Sequence, residues 1–181
     1  MSQETSGAMR AQWRVSPAAA SDLAFVVALD EESAAWLRAR GFDPGEPPRP
    51  LTDIYRERLA SGEVYLGWLG DVPVGMLTLQ RTDPRVWPEA PADALYVHGL
   101  MVSRLHAGQR IGTRLLDWAS EQVVAAGRAY LRLDCLAKNP ALRAYYERAG
   151  FTYRGTIRWK AYEGARYERP VKGGTDATDA Q

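Results

Sequence analysis

Residues 94–102 read ALYVHGLMV and residues 107–112 read AGQRIG, and the step from the first stretch into the second decides the fold. The first stretch is apolar and rich in strand-forming residues, which predicts a central strand. Behind the second, Ile111, Leu115, Trp118, Ala119 and Val123 recur at helical spacing, and Gly127 suits the position just past a helix end. Tyr130 to Leu136 then reads as another strand. A strand over 94–102, a helix over 110–126 and a strand over 130–136 have the lengths of a right-handed βαβ crossover with parallel strands.

Working outward, Asn139-Pro140 is a strong helix start, with Asn as cap and Pro in the first turn. Leu142, Tyr145, Tyr146 and Ala149 continue that helix, and Gly150 ends it. Phe151 to Thr156 and roughly 164–171 are read as closing strands. Toward the N-terminus, Trp13-Arg14-Val15 suits a short strand that Ser16-Pro17 should stop. Ser21 or Asp22 can cap a helix carrying Leu23, Val26, Val27 and Leu29 as far as Arg40, with Gly41 ending it. The Pro-rich stretch 42–50 is loop. A second helix starts near Thr52 or Asp53 and runs past Leu59. Val64 to Leu69, Gly70-Asp71 and Val74 to Gln80 read as strand, tight turn and strand, and a loop over 81–92 with three prolines follows. The expected fold class is α/β (α+β), a mixed central β-sheet of about six to seven strands flanked by about four helices. One domain is expected over 12–171, with flexible tails at 1–11 and 172–181, where residues are small and polar.

Composition narrows the classes of function. The 181 residues are 46% hydrophobic and 25% charged, which is ordinary for a globular protein with a sizeable core. A net charge of +1 argues against nucleic acid or an anionic membrane as partner. The single cysteine, Cys135, excludes a disulfide within the chain and fits a cytoplasmic protein. No signal-peptide pattern opens the sequence, and no apolar run approaches the roughly 20 residues of a membrane span.

A helix that follows a strand through a glycine-containing turn presents free backbone N–H groups and a partial positive charge. Such an end suits a pyrophosphate. Gly108 and Gly112 remove Cβ atoms from the approach, and Arg110 and Arg114 could add charge-assisted hydrogen bonds. The spacing is neither G-x-G-x-x-G nor a P-loop. Taken alone it is equally well read as a loop glycine and a helix-packing glycine.

Leu100-Met101-Val102, then Ala107 to Thr113, then Leu115-Leu116 resembles the cofactor motif of the GNAT superfamily of N-acetyltransferases. In that motif a Gln or Arg, two residues, a Gly, one residue and a Gly or Ala wrap the pyrophosphate of coenzyme A. Here Ala107 stands at the first position, Arg110 at the middle Gly, and Gly112 matches the last. Asn139-Pro140-Ala141-Leu142 with Tyr145 to Phe151 (YYERAGF) is similar to the family's second signature, and 70–75 (GDVPVG) resembles its preceding hairpin. In order and spacing the likeness runs from Trp13 to Val171.

The resemblance implies an acetyl-CoA-dependent N-acetyltransferase acting on a primary amine of a small molecule or protein, with no metal. It implies cofactor contacts from Leu100, Met101, Val102, Ala107, Gly108, Gln109, Arg110, Gly112, Thr113, Asn139 and Tyr146. Leu100 and Val102 would pair with the pantetheine amides through their backbone, as an added strand does. Homodimers are common in the family. Direct transfer needs a base for the amine and an acid for the leaving thiolate. A lysine-like amine has a pKa near ~10.4, so reaching its neutral form at pH 7 costs about 4 kcal/mol. Tyr146 matches the family Tyr whose hydroxyl reaches the sulfur and is the candidate acid; its other reading is a core aromatic on the buried face of a short helix, a role Tyr145 could fill instead. His98, where many members carry Glu, is the candidate base, because an imidazole can take a proton near neutral pH. A partly buried strand histidine is the plainer reading. The other histidine, His106, belongs with the surface or the cofactor's adenosine end. Trp36, Tyr55, Trp87 and Trp159, with Arg158, are candidates for the acceptor pocket, each equally explicable as core or lid. Cys135 reads as an inert small hydrophobe. The alternative is a non-catalytic acyl-CoA-binding module or sensor on the same fold.

Overall fold

The computed structural model describes residues 12–160 and 162–171. Seven strands form one sheet: β1 (Trp13–Pro17), β2 (Val64–Leu69), β3 (Val72–Gln80), β4 (Ala94–Val102), β5 (Tyr130–Leu136), β6 (Thr152–Trp159) and β7 (Tyr162–Pro170). Four α-helices accompany it: α1 (Leu23–Arg38), α2 (Leu51–Ala60), α3 (Ile111–Ala125) and α4 (Pro140–Arg148). The expected fold class is therefore the one found. The predicted tails, 1–11 and 172–181, lie outside the described residues.

The strand order is β1-β2-β3-β4-β5-β7-β6, which makes β4 the middle strand. Among the described residues only β4 and β5 run parallel, joined by α3 as the crossover. Side chains alternate between two cores. Val64 and Leu66 of β2 join Val26 and Leu29 of α1 and Tyr55 and Leu59 of α2. Tyr65, on the other side of the same strand, packs with Leu115, Leu116, Ala119 and Val123 of α3.

Several strand limits differ from those expected; β3, for one, begins two residues early, at Val72. β1 continues through Ser16 and Pro17, pairing with Leu66 and Tyr65. It is an edge strand, where a proline can leave its missing N–H facing away from the ladder. β6 runs on to Trp159 and β7 begins at Tyr162, because the two pair as a long hairpin with Arg158 opposite Glu163. Local composition at the end of β6 gave no sign of that pairing.

What matters most for function is where β4 and β5 part. They pair only from Ala94 with Tyr130 to Val97 with Leu133. Beyond that point β4 carries an irregularity against β3 between Met76 and Thr78, and Gly99 takes a φ of 55°. A bulge of this kind bends its strand. The next residues, His98 and Asp134, are therefore not paired with each other: each stays in the ladder with its other neighbour, His98 opposite Thr78 and Asp134 opposite Arg166, at the apex of a fork.

Candidate active site

Two cavities meet at the fork. One, of about 620 Å³, lies between the separated ends of β4 and β5 under α1. Leu100, Met101 and Val102 form one wall, Asn139, Leu142, Tyr145 and Tyr146 the other. The second, of about 770 Å³, is lined by His98, Asp83, Tyr162, Trp159 and residues of the loops at 43–46 and 82–86. Asp134 lines both.

The turn before α3 has the form an anion site needs. Gly108 (φ 80°) and Arg110 (φ 59°) are both left-handed, and Arg110 is the N-cap of α3. For Arg110 this backbone costs ~1–2 kcal/mol that a glycine would not pay. The first N–H groups of α3 have no helical acceptor and point toward the turn. Ala107, Gly108, Gln109, Arg110 and Thr113 surround this helix end but do not line the cavity, whereas Leu100, Met101, Val102, Gly112, Asn139 and Tyr146 do. Arg110 is exposed. Arg114, the other guanidinium expected at the phosphate, lies over the Trp13 ring at 4.2 Å instead.

Gly112 has the packing role that was one of its two readings, and the structure supplies the partner. A Cβ there would meet the Tyr145 hydroxyl oxygen at 2.5 Å, so the missing side chain makes room for Tyr145. Asn139 caps α4, accepting from the Leu142 N–H at 3.1 Å, and is buried against the cavity. That cap fixes the direction of a short helix and with it the position of Tyr146.

Tyr146 is only 6% exposed and packs among Tyr145, Phe151 and Tyr167 at ring-centroid distances of 5.3, 5.8 and 6.1 Å. Its hydroxyl has no hydrogen-bond partner among the described residues. Burial, then the nearby Cys135, raises its pKa, which keeps the phenol protonated and able to donate. Tyr146 thus lies in the aromatic core and on the cavity wall at once. Burial pushes the Cys135 thiol up to about 12.

His98 faces the second cavity. Its Nε2 lies 3.5 Å from Asp83 Oδ2 and makes no hydrogen bond among the described residues. Asp83 is fixed by its own loop, accepting from the Val86 N–H at 3.2 Å, while its carbonyl accepts from the Trp87 N–H at 2.8 Å. Tyr162 donates its hydroxyl to Asp134 Oδ2. Burial raises the Asp134 pKa, opposed by that hydrogen bond and by the charge of His98.

Of the four aromatics expected at the acceptor, only Trp159 lines the second cavity, 44% exposed, with Arg85 4.4 Å above its ring. Trp36 lines the first cavity instead, between the guanidiniums of Arg40 (4.0 Å) and Arg104 (4.5 Å). Tyr55 is a core side chain whose hydroxyl donates to Asp30 Oδ2 at 2.5 Å. Trp87 lies outside both linings, with Arg132 and Arg166 each 5.1 Å from its ring. Hydrophobicity and loop proximity, the sequence features that point to these aromatics, do not say which way a side chain faces. Of the others, His106 has a buried Nδ1 without a partner among the described residues, and Arg158 pairs with Glu163.

The sequence profile of the acetyltransferase (GNAT) family matches residues 28–151. The chain belongs to the GNAT family. A curated relative, the uncharacterized N-acetyltransferase YesJ of Bacillus subtilis strain 168, is 29% identical over 147 residues, 77% of this chain and 81% of that protein. A GNAT-family acetyltransferase from Listeria monocytogenes has the same fold, with a TM-score of 0.70 at 24% identity over 88% of this chain and 95% of its own. The structure of yncA from Salmonella typhimurium with its cofactor acetyl-CoA aligns with a TM-score of 0.62 at 15% identity, over 93% of this chain and 99% of its own.

Within this GNAT chain, the functional candidates that sequence reasoning missed are Asp83, Asp134 and Tyr162. They come from a loop, β5 and β7, and no local spacing links them. The one usable signal was Asp134 itself, a carboxylate in a mainly apolar strand whose other charge is Arg132.

Proposed function

We propose that the protein is an acetyl-CoA-dependent N-acetyltransferase that transfers the acetyl group directly to a primary amine of a small molecule or protein. The observation that carries the reading is the meeting of two cavities at the β4–β5 fork, one bounded by the cofactor-motif residues and the other by a histidine. The acetyl-CoA bound by the yncA relative supports the choice of co-substrate. The N-terminus of α3, with Ala107, Gly108, Gln109, Arg110, Gly112 and Thr113, holds the pyrophosphate through backbone N–H groups. Leu100, Met101, Val102 and Asn139 hold the pantetheine arm along the first cavity. The acceptor enters from the second.

In this reading His98 takes the amine proton and Tyr146 gives one to the departing sulfur. Holding thioester and amine on either side of one fork supplies the orientation that a bimolecular reaction lacks. The catalytic domain is proposed to span 12–171. A cytoplasmic location, without nucleic-acid or membrane partners, is supported by the net charge of +1 and the single cysteine; among the described residues no helix is long and apolar enough to cross a membrane. A homodimer is the assembly to test first.

The experiment is direct. Acetyl-CoA at saturation should raise the melting temperature, and CoA release should be seen with some member of a broad amine panel. Tyr146→Phe should keep the thermal shift and lower kcat by ~100-fold or more, while His98→Gln should remove the acidic limb of the pH–rate profile. No thermal shift refutes the cofactor assignment. Tight binding without release from any amine selects the non-catalytic acyl-CoA-binding module instead.

A further inference from the structure

Among the described residues Asp134 is the one that lines both cavities. It follows Leu133, the last β5 residue paired with β4, so its carboxylate stands where the strands begin to separate, across from His98. Tyr162 of β7 holds its Oδ2. The ligand atoms of Asp83, His98 and Asp134 all lie within 4.8 Å of one another. On the acceptor side the lining carries four carboxylates, Asp43, Glu46, Asp83 and Asp134, against the guanidiniums of Arg58 and Arg85.

Building on the acyl-transfer reading, we propose that Asp134 is a further catalytic residue: its carboxylate receives the acceptor as an ammonium ion at the junction and holds the nitrogen facing the thioester while His98 removes a proton. An alkyl amine reaches the enzyme charged at neutral pH. Its N–H donors fit a carboxylate whose other strong partner is a single phenol, and a charge-assisted hydrogen bond in a partly dry site is short and directional. The cation also offsets the desolvation that the buried carboxylate suffers. The groups facing Asp134 are His98 of β4, Asp83 of the preceding loop, Tyr162 and the register partner Arg166 of β7, Tyr146 of α4 and its neighbour Cys135. Arg166 is directed away, to the carbonyls of Val86 and Arg154.

The protons balance. One N–H proton passes to His98 and the freed lone pair attacks the thioester carbonyl carbon. The C–S bond breaks with its electron pair to sulfur, which takes the Tyr146 proton. The nitrogen then loses its second proton, which restores Tyr146. The sum is ammonium plus thioester giving amide, thiol and one proton to solvent through His98.

The test compares the full-length chain with Asp134→Asn, measuring CoA release at pH 6.5–9.5 with 1,4-diaminobutane, benzylamine and the side chain of Nα-acetyl-lysine, together with the acetyl-CoA thermal shift. The variant should keep the thermal shift, raise the KM for amine by at least ~10-fold near pH 7, and recover as pH rises toward the amine's own pKa, because a neutral amine does not need the carboxylate. A purely structural role gives the same deficit at every pH, and that result, like an unchanged KM, overturns the proposal. Loss of wild-type activity on adding EDTA also overturns it, since a metal would then occupy the triad. If Asp134→Asn does not fold, Tyr162→Phe keeps the carboxylate but frees Oδ2, and a KM rise of a few-fold with the same pH trend is expected; no change overturns the proposal. Absence of a thermal shift in the wild type refutes the cofactor assignment. A wild-type shift without release from any amine refutes the acceptor reading, and this inference falls with it.

Discussion

Replacing Gly112 with Ala puts a methyl carbon 2.5 Å from the Tyr145 hydroxyl oxygen, where real Cβ atoms essentially never lie. The ring carbon bearing that hydroxyl is 3.5 Å away, an ordinary contact, so the conflict is with the oxygen alone. Tyr145 is hemmed in by Tyr146, 5.3 Å between centroids, and cannot swing away without disturbing the cavity wall. Overpacking of this size costs ~1–3 kcal/mol. Alanine returns up to ~1 kcal/mol of helix propensity at the start of α3. The net is a destabilisation of ~1–2 kcal/mol, or a fall in Tm of about 2–8 °C for a chain of this length. In a Tyr145→Phe background the oxygen is gone, and Gly112→Ala should be neutral or stabilising by up to ~1 kcal/mol. The four proteins of the cycle, followed by urea denaturation, should show a coupling energy of ~1–3 kcal/mol. Equal costs of Gly112→Ala in both backgrounds would refute the reasoning and return Gly112 to a role at the ligand alone.

Three further outcomes follow from the same structure. Glu168 accepts from the buried Arg132 at 2.7 Å and from Arg154 at 3.1 Å, so Glu168→Gln leaves a buried guanidinium short of charge and should cost ~3 kcal/mol in urea denaturation; a cost below ~1 kcal/mol would mean that Asp93, 2.8 Å from Arg132, suffices alone. Burial raises the Asp134 pKa, so the folded state holds that proton more tightly than the unfolded chain. Its contribution is fully present below the unfolded carboxylate pKa and is lost as pH rises through the folded value, so wild-type stability relative to Asp134→Asn should be greatest in acid and fall as pH rises, and a flat difference would contradict this. Cys135, with its thiol raised to about 12, should resist iodoacetamide at pH 8 until the protein unfolds; rapid native alkylation would show that it is open to solvent.

The crossover unit was legible because each part carries a local signal. Ala94 to Val102 and Tyr130 to Leu136 are apolar runs of strand length, and β4 and β5 have those limits. The Asn139-Pro140 pair marks the start of α4 through a cap that only needs its own helix. Arg110 was legible as a departure from the motif, but its left-handed backbone was not, because propensity argues against it and the strand-to-helix geometry imposes it.

The sequence by itself determined the strand–turn–helix unit, the α4 cap with Tyr146 behind it, and the family to which both motifs point, since each depends on residues within one or two turns of each other. Tertiary structure alone decided what faces what. It put Trp36 on the first cavity rather than the acceptor side and made Gly112 a seat for Tyr145. It also gathered Asp83, His98, Asp134 and Tyr162 at one fork. Those side chains come from separate segments, and their approach depends on where two parallel strands stop pairing, a property of the sheet that no single stretch encodes.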